Sequence, residues 1–520
     1  MKEQQTLNIK KKSSNGGTID IPYGFIKAAS LVYLTLPVII FFIGYLRAAW
    51  AVPTSIVAAA ALVYGIKLSL EDKRKLTIRL STLIILAVVA LLTVYYCNIG
   101  EFVWGTTDHA FRRATLRDLI DYKWPVIYDL SKQSNPVVNS VLPDTTVGFA
   151  YYFSFWMVPA VVGKLAGFAA GNVTMLIWSF IGVLLTFIAM SGLSKSKAWP
   201  VIFSYICFSG LDVIPYFYNE AHPKQYWMWL EGWVEHMYYI SNFNQLLNVY
   251  NQCIPVFLIV AVFMLSNDNR LAGFFGSLTF AYSPWATFGM IPVALYYLLN
   301  NKEDRTFKRI LNPLNIITPV LMLIVFVPLF TANPAATSIA GPTAGFYDSI
   351  VKYILCYLLF IVIEIGPAAL LTFKKFHKTA IYKIAVISLV LIPLYLVSPQ
   401  NDFVMRASIP SLFVLCVLLS STLADINIKE IPNAWDKKDI LQKAKGVGTV
   451  ILLAGMAYVW FQMSVTILAS TYDGTPRCNE DIYSFGDVQK EDYLPLIAEQ
   501  FYVYDYEDSF FFSHMAKEVG

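Results

Sequence analysis

The residues most able to do chemistry stand in short polar stretches between long apolar runs. The first reads WGTTDHAFRRATLRDLIDYKWP, residues 104–125, and brings Asp108, His109, Arg112 and Arg113 close together. Asp108 and Arg112 are four apart, as are His109 and Arg113, and Arg117 and Asp121. On a helix each such pair shares a face and adds a few tenths of a kcal/mol. A carboxylate near a substrate hydroxyl is a general base. A guanidinium grips phosphate with two parallel hydrogen bonds. Asp108 has a second reading, as a first-turn carboxylate that suits the helix dipole, with Thr106 or Thr107 as the cap. For Arg117 and Asp121 the preferred reading is a surface ion pair.

A second stretch, EGWVEHMYYISN at 231–242, read as a helix puts Glu231 and Glu235 on one face, with His236 about 100° round. Trp227, Trp229, Trp233, Tyr238 and Tyr239 surround them. Flat aromatic faces beside carboxylates suit sugar rings. An aromatic belt at the membrane interface gives the same composition. Two Glu and one His also admit a divalent metal, although the spacing is not HExxH. Asp212 in FSGLDVIPYF and Glu364 in LFIVIEIGPA stand in apolar surroundings, where a carboxylate needs a cavity or a partner. Asp212 alternatively sits near the outer interface. The short stretch SPQNDFVMRASIP, 398–410, holds Asp402 and Arg406, four apart. Arg406 between two spans is placed for a lipid phosphate, or snorkels to ordinary headgroups.

These residues need a scaffold, and composition defines it. Of 520 residues, 57% are hydrophobic and 14% charged, against roughly 25% charged in soluble domains. A soluble enzyme and a disordered or fibrous chain are excluded. The expected fold is all-α and polytopic, with about 12–13 transmembrane helices of about 20 residues each and juxtamembrane helices in the outer loops. The net charge of +4 gives no reason to expect a nucleic-acid partner. The six Cys are dispersed and read as buried thiols. No GxxxxGK[ST] or strand-to-helix GxGxxG occurs, so the chain does not read as ATP-driven.

Apolar runs near 27–46, 49–66 and 80–97 are followed by others up to 446–468. Basic loops at 67–79, 302–309, 374–383 and 429–445 all fall on one side when the runs are counted as crossings, which reads as cytoplasmic. Residues 1–22 form a cytoplasmic tail and 23–468 the transmembrane domain, with outer loops at about 98–147 and 218–250. Residues 469–520 form an extracytoplasmic tail holding eleven Asp and Glu against three Lys and Arg. In the preferred topology 148–166 lies along the outer face and 271–299 is a hairpin broken near Pro284 or Pro292.

The order of features resembles the GT-C superfamily of polytopic glycosyltransferases. Members carry an acidic residue in the first large outer loop, here Asp108, followed by an aromatic-Pro juxtamembrane segment, here YYFSFWMVPAVVGKLAG at 151–167. FSGLDVIP, EGWVEHMYYISN and NDFVMRASIP resemble motifs of a poorly characterised bacterial branch. The likeness spans roughly 80–425. Two crossings precede the main loop where many members have one, and a single Asp-His step replaces paired acids. The resemblance implies a GT-C-like fold in the cell membrane, a polyprenyl-phosphate-linked sugar as donor, and a glycan or glycolipid as acceptor. It implies Asp108 as general base and Arg406 as the cation facing the leaving phosphate, with Arg112 or Arg113 next in line. His109, Glu231, Glu235 and His236 would orient donor and acceptor or hold a metal. Trp233 and Tyr238 would offer stacking faces. Asp212 and Asp402 complete the candidate substrate-binding set. A transporter or flippase, and a lipid-linked polysaccharide polymerase or ligase, are the competing functions.

Overall fold

A computed structural model describes residues 17–141, 146–212, 231–266, 268–300, 307–333, 340–398, 401–425, 457–472 and 482–518. Trp227, Trp229 and the basic loop at 429–445 lie outside the described residues. In chain order the helices are α1 (Tyr23–Tyr45), α2 (Ala48–Leu70), α3 (Leu80–Tyr96), α4 (Asp108–Asp121), α5 (Met157–Ala166), α6 (Phe168–Leu193), α7 (Ala198–Cys207) and α8 (Asn242–Leu265). After them come α9 (Ala272–Tyr282), α10 (Pro284–Leu299), α11 (Pro313–Thr331), α12 (Ile350–Glu364), α13 (Gly366–Phe376), α14 (Ala380–Leu391), α15 (Asp402–Ala407), α16 (Ile409–Leu423) and α17 (Ala457–Tyr472). The chain is mostly helical, and short strands join its loops into four small sheets.

Among the described residues, six helical segments are long and apolar enough to cross a membrane. The bent pair α12–α13, angled by 56°, makes a seventh if counted as one span. The other apolar runs form six helices of 10–17 residues. Among the described residues the count of long spans is thus below the about 12–13 expected of the whole chain, and breaks divide several runs. Ser283 and Pro284 make one such break. The Ser283 hydroxyl accepts from Ala286 N–H, and Pro284 at the helix start has no N–H for a preceding turn. Helices α9 and α10 fold back on each other there, with Gly276 against Ala294. Pro292, the alternative breakpoint, lies inside α10.

The stretch 148–166 holds no helix long enough to cross a membrane by itself. It supplies strand β4 (Thr146–Phe149), a 3-10 turn and α5, whose ten residues cover about 15 Å of the ~30 Å hydrocarbon core. Lys164 near its end donates to Ile120 and Tyr122 carbonyls at 3.0 and 2.6 Å, which holds α5 beside α4.

The charges sort to two faces. On one, strand β1 (Thr18–Pro22) pairs antiparallel with β2 (Lys75–Arg79), so the N-terminal segment and the first basic loop share a side. There Asp72 takes Lys27 at 3.0 Å and Arg74 at 2.7 Å. Arg270 takes Glu71 and Asp268, and Asp425 takes Lys195 and Lys375. On the opposite face α4 and its loop meet the C-terminal residues. Strands β3 (Ile127–Asp129) and β4 pair, and β5 (Tyr502–Val503) adds to β4. Helix α1 links both faces. Tyr23 N–H donates to Arg74 O at one end, and Leu46 bridges Ala516 at the other.

Candidate functional site

Helix α4 forms where the sequence places it, with Phe111, Ala114 and Leu119 buried. Its start differs from expectation. Thr107 takes the cap position without a side-chain cap, and the Thr106 hydroxyl donates instead to Asn248 Oδ1 of α8 at 2.8 Å. Arg112 turns the same way. Its Nε and Nη2 both donate to the Asn248 carbonyl at 3.1 Å, and Nη1 donates to the Tyr151 hydroxyl at 2.9 Å. That carbonyl is available because α8 leaves helical geometry at Val249, with φ −137° and ψ 37°. Asp108 makes no close ion pair with Arg112, but lies near enough for its charge to act there, and stays partly exposed.

Tyr151 and Tyr152 carry the site onward. Their rings lie 3.8 Å apart. Tyr152 also feels the charges of Arg406 and Asp402. Arg406 is 9% exposed, reaches Asp402 at 3.4 Å, and has no hydrogen-bond partner for Nε among the described residues. Its helix α15 is started by Asn401, whose Oδ1 accepts from Val404 N–H. Asp108, Arg112, Tyr151, Tyr152, Asp402 and Arg406 thus form one cluster, although Asp108 and Arg112 stand 290 or more positions before Asp402 and Arg406 in the sequence.

His109 and Arg113 face inward from this cluster. His109 is 2% exposed and lines a small cavity with Glu101, Arg112, Arg113, Asn172 and Tyr250. Burial first, and the Arg112 charge second, hold its imidazole down at about 4, so it is neutral near pH 7. Arg113 pairs with Glu101 at 3.4 Å. Arg117 reaches Asp121 only at 4.0 Å. Its guanidinium lies between the rings of Phe168 and Tyr483 instead, at 3.9 and 4.0 Å, where cation–π attraction holds it.

Residues 231–241 form no α-helix, so Glu231 and Glu235 do not share a helical face. His236 sits at φ +63°, which a continuing helix does not allow. Glu231 turns inward and accepts from Ser241 N–H at 2.9 Å and Asn244 Nδ2 at 3.0 Å, satisfying the start of α8. Glu235 is exposed and pairs with Lys352 at 3.4 Å. His236 meets the rings of Phe346 and Tyr347, and its carbonyl accepts from Asn401. Trp233 donates from Nε1 to Glu364 Oε1 at 2.7 Å, and its ring lies 6.4 Å from that of Phe360.

Asp212 and Glu364 come together, which their positions in sequence do not announce. Asp212 is fully buried and accepts from Ser209 at 2.9 Å. Glu364 ends α12 at the bend, 3% exposed, and packs against Gly210, two positions before Asp212. Leu211 N–H donates to Ile363 O, tying this loop to the bend. Among the described residues no group of three His, Cys, Asp or Glu is arranged to hold a metal.

One buried carboxyl escaped sequence reasoning. Asp118 of α4 accepts from the Tyr128 hydroxyl at 2.7 Å and Phe485 N–H at 2.9 Å, and burial pushes it up to about 7. Its only sequence signal was its place on the buried side of α4, beside Thr115 and Leu119. Comparison with protein-family models, curated proteins and solved structures finds no match.

Proposed function

We propose that the chain is a multi-pass membrane glycosyltransferase of GT-C type that moves a sugar from a polyprenyl-phosphate donor to a glycan or glycolipid acceptor, with inversion. The carrying observation is the outer cluster: two buried guanidiniums, Arg112 and Arg406, joined through Tyr151 and Tyr152 and flanked by the partly exposed Asp108. With the basic loops held in the cytoplasm of the cell, this cluster opens on the extracytoplasmic side of the cell membrane, as does the C-terminal tail.

In this reading Asp108 takes the proton of the acceptor hydroxyl as its oxygen bonds to the anomeric carbon. The bond from that carbon to the donor phosphate breaks, and its electron pair stays on the phosphate oxygen. Arg406, with its unengaged Nε, and Arg112 meet the growing negative charge. Attack from the side opposite the phosphate inverts the centre. His109 and Arg113 hold the rear wall.

The test is turnover of polyprenyl-phosphate sugars by the purified protein in lipid, read as release of free polyprenyl phosphate. Full activity in Asp108→Asn would end the base assignment. Release of polyprenyl diphosphate instead would identify the polymerase or ligase. One observation favours a transporter or flippase: the carboxyl pair Asp212–Glu364 at a bent span. Proton-linked movement of substrate without bond cleavage would establish it.

A further inference from the structure

Tyr151 and Tyr152 stand between β4 and the 3-10 turn Phe153–Trp156 and belong to neither. Where their rings sit is therefore decided by what packs on them. Among the described residues the Tyr151 ring meets Tyr152 at 3.8 Å, Phe501 at 4.6 Å and Trp156 at 6.3 Å. Tyr152 and Trp156 belong to the same short stretch of chain. Phe501 does not: it comes from the C-terminal residues and supplies a wall that this stretch cannot make for itself. It also fixes the backbone there, since Ala150 N–H donates to Phe501 O at 3.1 Å, one position before Tyr151.

Phe501 is itself firmly held. It is fully buried, and its ring stacks on Phe485 at 4.4 Å and on Phe111 of α4 at 5.9 Å. Phe485 N–H donates to Asp118 at 2.9 Å. Gly486, next along, lies against Tyr122 and Tyr128 with no room for a side chain, and its carbonyl accepts from Gln133 Nε2 at 2.5 Å. Val488 N–H donates back to Gln133 Oε1 at 2.8 Å.

At the other side of Tyr151 stands Arg112. Two of its nitrogens donate to one point, the Asn248 carbonyl, and the third donates to the Tyr151 hydroxyl. A planar fork bonded at two separate points has a fixed plane, whereas one bonded only at Asn248 O can swing about it. The Tyr151 hydroxyl is the second point.

We propose that Phe501 is a positioning residue of the anion site: it seats Tyr151, and through the Tyr151 hydroxyl it sets the plane of the Arg112 guanidinium. The site then needs the C-terminal residues docked in order to be complete. The proposal rests on Arg112 as an anion partner, and not on sugar transfer.

The experiment reads the restraint on Arg112 without any donor, as its rate of reaction with phenylglyoxal in the full chain in detergent, resolved by peptide mass spectrometry. Phe501→Leu keeps an apolar side chain in the core, and Tyr151→Phe removes the hydroxyl alone. Each is expected to raise the Arg112 rate about threefold or more, the worth of one hydrogen bond. The double variant should react no faster than Tyr151→Phe, because both changes act through the same bond. Arg270, on the opposite face, should keep its rate. An unchanged Arg112 rate in Phe501→Leu, an equal rise at Arg270, or rates that multiply in the double variant would overturn the proposal. Binding of sugar-free polyprenyl phosphate should weaken by about three- to tenfold in Phe501→Leu. Equal binding by this variant and the parent protein would remove the positioning role alone. A parent protein that binds no polyprenyl phosphate, yet shows the expected labelling rates, would remove the donor reading alone.

Discussion

The outer cluster and the carboxyl pair at the bent span are both buried polar groups, built on opposite plans. Around Tyr151 and Tyr152 two guanidiniums face two carboxylates, and Arg406 keeps one donor unengaged. Around Glu364 the charged neighbours are Asp212 and Glu231, and their described partners are Ser209, Trp233, Ser241 and Asn244. No Lys or Arg pairs with these three acids among the described residues. The first region is thus suited to an incoming anion. The second offers an anion no cation, and fastens a loop to a bend through Leu211 N–H and Ile363 O.

If that contrast holds, the largest effect belongs to Asp108→Asn, with transfer lowered by about 10²–10⁴-fold and donor binding retained. Glu231→Gln, in the other region, leaves transfer nearly unchanged. Equal losses in both would erase the distinction.

Asp118 gives the next effect, on stability. Folding favours its neutral form, so the outer layer is most stable below about pH 4 and weakens as pH rises to about 7, by up to about 4 kcal/mol. Thermal unfolding of Asp118→Asn should lose that slope, because the amide oxygen still accepts from Tyr128 and Phe485. A slope identical to that of the parent protein would assign it to another group.

Arg406→Ala should weaken donor binding by about 10–100-fold, the worth of a charge-assisted hydrogen bond. Arg406→Lys should restore part of it. Asp212→Asn should leave donor binding alone, and a matching loss there would join the two regions into one site. The smallest change is expected for Glu231→Ala, about 1–3 kcal/mol of stability, as Ser241 N–H and Asn244 lose their acceptor. Calorimetry of the purified protein would show no shift if water replaces the carboxylate fully.

The long helices were legible because hydrophobic runs have few alternatives in lipid. The expected run at 80–97 is α3, and that at 312–331 is α11. Pro284 marked the hairpin through its missing N–H. What failed was local periodicity in polar segments. Glu231 and Glu235 fit a helical spacing, yet inward hydrogen bonds to the start of α8 won over helix formation. The partnership of Asp212 with Glu364 and the bridge from Arg112 to Arg406 through Tyr151 and Tyr152 depend on contacts across more than a hundred positions. No short-range pattern encodes them. Asp108, Arg112, Asp402 and Arg406 were visible as residue types, and their convergence was not.

The C-terminal strand β5 has a consequence for how the protein is made. Phe485, which holds Asp118, follows it by 367 positions. A ribosome adding about 5–20 residues per second reaches it roughly 20–70 s after Asp118. Throughout that interval the loop bearing Asp108 waits with β4 lacking its neighbour and Arg117 lacking Tyr483. Arg47, at the end of α1, likewise waits for the carbonyls of Ser513 and Ala516. The outer layer closes only after the described spans have been synthesised, so an interrupted or misinserted chain presents an open sheet edge to the quality-control proteases of the membrane.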